Sequence, residues 1–264
     1  MDYKLLGKTG IKVSELCLGT MTFGTDWNFG SNKQESKRIF DAFCNTGGNF
    51  FDTANIYTTG TSEKYLGEFI KSERDNLVIA SKYSLTESNK INVAGNSRKN
   101  MTQSIEGSLK RLGTDYIDLY YVHAWDFLVA PEELMRNLEY LLASGKILSI
   151  GISDTPAYIT SRCNTLAELR GWNQFAAYQV EYCLTERTAD REIIPLCEHD
   201  DMLFCGFGPL AAGLLTGKYL EENNDPKRMT KGVSARLSDR NLAMSAEIKA
   251  LSQEIGHTPS QVAI

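Results

Sequence analysis

The stretch Phe50–Gly67, FFDTANIYTTGTSEKYLG, decides the architecture. Asn49 to Phe51 reads as the end of a buried strand, and Ser62 opens an amphipathic helix that runs to about Ser72, with Asp75 ending it. Asp52 and Tyr57 then lie in the loop between them, at the C-terminal end of a strand. In a barrel of alternating strands and helices that rim carries the chemistry, while the opposite rim serves stability. Taken alone, a buried Asp near a Tyr caps a loop or simply packs.

The same pattern recurs downstream. Val78 to Ser81 is an apolar strand that ends on Lys82, Tyr116 to Val122 ends on His123, and Ile147 to Ile152 ends on Ser153 and Asp154. Phe175 to Tyr178 leads to Gln179, and Met202 to Cys205 leads to Phe207. From Asp52 to Lys82, His123, Ser153, Gln179 and Phe207 the successive intervals are 30, 41, 30, 26 and 28 positions, so each lands one strand–helix unit of about 30 residues or more after the last. They should ring a single pocket. Singly, a lysine closing a strand is a guard against edge pairing and a lone histidine after one is a hydrogen-bonded core residue. Together with Asp52 and Tyr57, those readings give way to a site, because cationic groups facing a carboxylate and a phenol perturb one another.

Composition bounds the rest. The chain has 264 residues, 42% hydrophobic and 23% charged, with a net charge of −5. That length suits one α/β barrel domain. The mild acidity and the absence of a basic cluster argue against nucleic acid or an anionic membrane as partner. MDYKLLGKTG has no apolar core of signal-peptide length, and no apolar run reaches the roughly 18 residues of a membrane span, so a cytoplasmic enzyme is expected. The six cysteines (17, 44, 163, 183, 197 and 205) fall on expected strands or helix interiors without C-x-x-C spacing, which reads as free and buried. Only His123 of the three histidines stands at a strand end, so a metal-dependent hydrolase is disfavoured and no metal is expected. The residues fix no oligomeric state.

Tyr3 to Leu6 and Ile11 to Val13, joined by Gly7-Lys8-Thr9-Gly10, carry a hairpin signal, and Glu15 to Leu18 would be the first barrel strand. Residues 84–97 form a long polar loop directly after Lys82, ending on Ser97 as the N-cap of a helix to Leu112. Trp27, Trp125 and Phe127 point to an apolar, aromatic-lined substrate pocket. Thr258-Pro259-Ser260-Gln261 reads as a capped helix start.

FDTANIY, IASKY, YYVHAWD, GISD, QVEY and FGPLAAGLLTGKY, in this order at barrel spacing, resemble the aldo-keto reductases, in particular their aryl-alcohol-dehydrogenase-like branch. The likeness extends from LLGKTGIKVSELCLGTMTFG to TPSQVA. It implies an α/β fold, a (β/α)8 TIM barrel with the N-terminal hairpin as plug, and one barrel domain over residues 1–264. It also implies that relatives continue into an eighth strand and a segment gripping the adenosine 2′-phosphate. The sequence thus looks truncated before that strand, and residues 1–264 alone are expected to aggregate, swap elements between chains or bind NADPH weakly.

The chemistry such a set supports is hydride transfer to a small-molecule carbonyl, with aldehydes and ketones reduced to alcohols reversibly. Oxygen develops negative charge as hydride arrives, so a proton donor and a polarising donor must point at it. Tyr57 would be the acid, its pKa lowered by Lys82, with Asp52 aligning Lys82 and His123 orienting the carbonyl. No G-x-G-x-x-G follows the first strand, so the nicotinamide cofactor is not bound in the Rossmann manner. The resemblance assigns its contacts to Gly19, Thr20, Met21, Asp52, Ser153, Asp154 and Gln179, with Phe207 stacking on the nicotinamide ring. Gly208, Pro209, Leu210, Ala212, Gly213 and Lys218 would follow the pyrophosphate. Asp154 stands where most relatives have Asn, and Gly208 where many have Ser. NADP comes from the resemblance alone, so NAD stays open beside it. The alternative function is a non-catalytic, NADPH-binding regulatory subunit of the same fold.

Overall fold

The computed structural model describes residues 1–220 and 236–264. The chain falls into two compact units, Met1–Tyr178 with Leu196–Phe204, and Gln179–Pro195 with Cys205–Ile264.

In the first unit a hairpin of β1 (Tyr3–Leu5) and β2 (Lys12–Ser14) precedes a sheet of β3 (Leu18–Gly19), β4 (Phe50–Asp52), β5 (Val78–Tyr83), β6 (Ile117–Val122) and β7 (Ile147–Ser153). These five are hydrogen-bonded in sequence order and all run parallel, and β8 (Ala177–Glu181) and β9 (Leu203–Phe207) continue the order to seven strands. All residues of β4, β5 and β6 are buried, the near-continuous apolar run of parallel strands covered on both faces. The helices between them are α1 (Lys33–Asn45), α2 (Thr61–Ile70), α3 (Arg98–Leu112), α4 (Pro131–Ala143) and α5 (Ala157–Arg170), giving the βαβ alternation of a TIM-barrel-like α/β fold.

The first layer of core is aromatic. Phe40 of α1 stacks on Phe51 of β4 at 4.8 Å, and Phe43 meets the same ring edge-on at 5.2 Å. Phe40 and Phe51, both buried, each contribute about 1.5–3 kcal/mol by leaving water. α2 and α3 approach so closely that a Cβ on Gly67 would stand 2.4 Å from the Leu112 carbonyl oxygen.

The hairpin docks at the N-terminal ends of the strands. Ser14 N–H donates to Asn49 Oδ1 at 2.7 Å and Asn49 Nδ2 donates to Lys12 O at 3.0 Å, just ahead of β4. Lys8 pairs with Asp201 at 3.3 Å, just ahead of β9. The opposite ends, where Asp52, Lys82, His123 and Ser153 emerge, are left to the loops.

The second unit packs Cys183, Ala211, Leu214, Leu215 and Ile248 into its own core, against Tyr219, Leu237, Leu242, Val262 and Ala263. Its helix Pro259–Ala263 opens on the capping box read from sequence, Thr258 accepting from Gln261 N and Gln261 from Thr258 N.

Several boundaries differ from the sequence reading. Asp52 closes β4 rather than standing in the loop, because the ladder to Gly19 and Ala80 extends through it. The first barrel strand is Leu18–Gly19, and Gln179 lies inside β8. None of the six cysteines is in a disulfide, but Cys17 is exposed and Cys44 and Cys205 are half-buried, so burial holds only for the other three. Among the described residues no helix is long and apolar enough to cross a membrane, and no cluster of three or more His, Cys, Asp or Glu could hold a metal.

Candidate active site

At the C-terminal rim of the first unit, adjacent parallel strands bring Asp52 and Lys82 together. Lys82 is fully buried and its ammonium spends all three hydrogens, on Asp52 Oδ1, on Thr53 O at 2.9 Å and on the Tyr57 hydroxyl at 3.1 Å. The phenol oxygen accepts from Lys82, so its own O–H is left to point elsewhere. The ammonium also lies over the Tyr57 ring, 4.7 Å from its centre.

Tyr57 begins a tight turn, Tyr57–Gly60, in which Thr58 and Thr59 hold φ of 45° and 56°. Positive φ is strained for a β-branched residue, and such strain collects at functional sites. It is held in place by Thr58 Oγ1, which donates to Phe23 O at 2.7 Å and accepts from Ser62 N at 3.0 Å. His123 follows β6, its ring edge-on to Tyr57 at 5.8 Å.

Burial disfavours charge on all of these groups, and their neighbours decide what remains. For Lys82 the cost of burial is overcome by Asp52 and Tyr57, which hold its pKa above the ordinary value. For Tyr57 burial outweighs the pull of Lys82, and Asp52 adds to it, so the phenol is pushed up from 10.0. This reverses the lowered Tyr57 pKa expected from sequence. His123 is pushed down from 6.5 to about 3, by burial first and by Lys82 second, and is neutral at physiological pH. Its Nδ1 is buried with no hydrogen-bond partner among the described residues. We assign the single N–H to Nε2, since a stranded acceptor is tolerated better than a stranded donor.

The remaining positions separate by unit. In the first, Gly19 is exposed and Met21 half-buried, whereas Thr20 is wholly buried and its hydroxyl bonds Asp52 O at 3.0 Å and Ser62 Oγ at 2.8 Å. The Thr20 hydroxyl thus braces Asp52 instead of standing open as a cofactor donor. Ser153 is buried at the end of β7, and the exposed Asp154 has φ of 40° and adds to the upward shift of Tyr57. Trp27 lies edge-on to Tyr57 at 6.5 Å. Trp125 is buried and meets Phe127 at 6.5 Å.

In the second unit, Gln179 is buried and Phe207 is 40% exposed at the end of β9. Gly208, Ala211, Ala212 and Gly213 all have positive φ, around Pro209 and Leu210, and a Cβ on Gly213 would meet Lys218 Cε at 2.7 Å. Left-handed residues in close succession turn main-chain N–H groups into a concavity for anions, and here an ammonium stem lies across the glycine. The N–H groups of Ala211 and Gly213 are spent inside the turn, on Gly208 O at 2.8 Å and Leu210 O at 2.9 Å, so the fit to a phosphate-bearing cofactor rests on the Lys218 ammonium beside it. Beside it Arg236 makes a two-pronged pair with Glu181.

Sequence reasoning missed the supports. Glu63 is wholly buried, accepts from Ser81 Oγ at 2.6 Å and pairs with Arg111 at 2.6 Å, fastening the start of α2 to the strand that carries Lys82. The available signal was a charge on the apolar face of a helix, in line with Leu66 and Ile70. Asn96 and Asp126, which bond each other reciprocally at 2.7 and 2.8 Å, carried no such signal.

The model of the Aldo/keto reductase family matches residues 15–264. The chain belongs to this family. Among curated relatives of this aldo/keto reductase, a norsolorinic acid reductase of Emericella nidulans is 37% identical over 266 residues, covering 97% of this chain and 67% of that protein. An aryl-alcohol dehydrogenase [NADP(+)] of Phanerodontia chrysosporium is 39% identical over 242 residues, covering 86% and 62%. A norsolorinic acid reductase of Aspergillus flavus is 40% identical over 220 residues, covering 79% and 57%. The chain therefore spans 57% to 67% of the length of these relatives.

Proposed function

We propose that this aldo/keto reductase is an NADP(H)-dependent oxidoreductase that reduces an aryl aldehyde or ketone to the alcohol, reversibly. The observation that carries this reading is the Lys82 ammonium donating to Tyr57 while it is paired with Asp52. The relatives' names, a reductase and an aryl-alcohol dehydrogenase, support the reaction class and the aryl substrate.

Bound NADPH supplies the hydride, which no side chain can provide. Tyr57 is the general acid: neutral at working pH, it carries the proton that the developing alkoxide takes up, while Lys82 stabilises the phenolate left behind. Asp52 keeps Lys82 charged and aimed. His123, neutral, donates from Nε2 to the carbonyl oxygen and orients it. In the first unit Gly19, Met21, Ser153 and Asp154 are assigned to the cofactor, with Thr20 bracing Asp52, and Trp27 and Trp125 form walls for the substrate. An Asp at 154 accepts from the carboxamide NH2 but cannot donate to its carbonyl. In the second unit Gln179 and Phe207 are assigned to the nicotinamide, and the Gly208–Gly213 turn with Lys218 to the phosphates. A single catalytic domain over residues 1–264 and a cytoplasmic setting belong to the same reading.

The complete set of four supports turnover over non-catalytic nucleotide binding. The test is loss of NADPH absorbance with an aryl aldehyde. Cofactor binding without any consumption, across a panel of aldehydes and ketones, would overturn the catalytic reading in favour of a regulatory one.

A further inference from the structure

The loop between β5 and α3, residues 84–97, is anchored at two points. Near its start, the two carboxylate oxygens of Glu87 are committed to side chains distant in sequence. Trp27 Nε1–H donates to Oε1 at 2.6 Å and Thr59 Oγ1–H donates to Oε2 at 2.9 Å. An exposed glutamate is ordinarily solvated; one that accepts from two other loops is a clasp. The indole it holds is half-buried, edge-on to the Tyr57 phenol at 6.5 Å and tilted on Phe29 at 5.9 Å.

Near its end, the loop is held by Asn96, which is wholly buried. Asn96 Nδ2 donates to Ala124 O and to Ser84 Oγ, both at 2.9 Å, and its main chain and Oδ1 complete the reciprocal pair with Asp126. Ala124 follows His123, and Trp125 and Phe127 flank Asp126. A single loop issuing from the strand of Lys82 thus grips Trp27 through Glu87 and the Trp125 segment through Asn96.

We propose that Glu87 is a specificity-determining positioning residue, whose carboxylate locks the Trp27 indole as a preformed wall for the aromatic part of the carbonyl substrate. The proposal rests on the carbonyl-reductase reading. Its chemistry is preorganisation: a wall already fixed need not be ordered when the substrate binds, and the benefit goes only to substrates large enough to reach it. A short alkyl aldehyde reaches Tyr57 and His123 without leaning on the indole.

The test compares 4-methoxybenzaldehyde with propanal in wild type, Glu87→Ala, Glu87→Gln, Trp27→Ala and the double variant Glu87→Ala/Trp27→Ala. Glu87→Ala should raise KM for the aryl aldehyde about tenfold, the loss expected for a charge-assisted hydrogen bond, with kcat and the propanal KM within about twofold. Glu87→Gln keeps an acceptor for the indole and should recover most of the loss. Adding Glu87→Ala to Trp27→Ala should change nothing further, because the two residues act as one unit. Acrylamide quenching of tryptophan fluorescence, greater in Glu87→Ala than in wild type, reads the lock without turnover. An equal KM change for both aldehydes, no change for either, full additivity in the double variant, or unaltered quenching would each overturn the proposal. A wild-type protein that binds NADPH but consumes it with neither of these aldehydes nor any other carbonyl of the panel would overturn the carbonyl-reductase reading and the specificity role with it, while the quenching comparison would still report on the lock itself.

Discussion

Lys82 Nζ stands 3.1 Å from the Tyr57 hydroxyl and donates to it, while its other two hydrogens are taken by Asp52 and the Thr53 carbonyl. The direction of that bond decides the roles. The tyrosine is an acceptor toward the lysine and keeps its proton for whatever lies on the far side.

Tyr57→Phe removes that proton and leaves the ring in place. Turnover of an aryl aldehyde should fall by at least about 10²-fold, the usual contribution of a positioned acid, with NADPH affinity preserved. Near-normal turnover would take Tyr57 out of the role.

Lys82→Met removes the strongest influence that lowers the Tyr57 pKa. Alcohol oxidation needs the phenolate, so its rate rises with pH toward the phenol pKa, and in the variant that rise should move to higher pH. Asp52 is left without its buried partner, at a cost of about 3–5 kcal/mol in unfolding free energy. Adding Asp52→Asn should return part of this stability without restoring the profile. A profile that keeps its position in Lys82→Met makes the lysine purely structural.

For reduction, the protonated phenol is the active form, and activity is lost only as pH rises through a pKa that burial holds above 10.0. The rate should be flat through neutral pH. His123 acts on the acid side through stability. The unfolded chain takes up a proton near 6.5, whereas the folded one resists until about 3. Stability from this group is complete above 6.5 and declines as pH falls toward 3, by at most about 1.4 kcal/mol per pH unit. Denaturant melts of His123→Phe at pH 7 and pH 5 should differ less than those of wild type.

Gly67→Ala places a methyl 2.4 Å from the Leu112 carbonyl oxygen, a backbone atom that cannot swing aside. The helices must part, and overpacking of this kind costs about 1–3 kcal/mol. An unchanged chemical-denaturation midpoint would show that α2 and α3 yield more easily than their packing implies.

The residues that do the proposed chemistry were legible because each is a polar interruption at the end of a buried apolar run. Lys82 follows VIAS and His123 follows YIDLYYV, and parallel strands deliver such endings to one rim. What escaped was whatever depends on a partner brought close only by folding. Glu63 meets Arg111 across 48 positions, Glu87 meets Trp27 across 60, and Asn96 meets Asp126 across 30. The Tyr57 pKa was misjudged for a related reason: spacing reveals which charges are near but not how much water is excluded. Strand ends slipped by one residue at Asp52 and by three at the strand holding Gln179, where the ladder overrides local pattern.

An amine placed beside an aldehyde ordinarily condenses with it, losing water to form an imine. Lys82 stands next to the group proposed to protonate the carbonyl, yet its nitrogen has no lone pair to offer: it is held in the ammonium form above its ordinary pKa, and its three hydrogens are tied down. The contacts that make Lys82 a partner of Tyr57 therefore also make it a poor nucleophile. Support of the proposed acid and inertness toward a carbonyl come from the same three bonds.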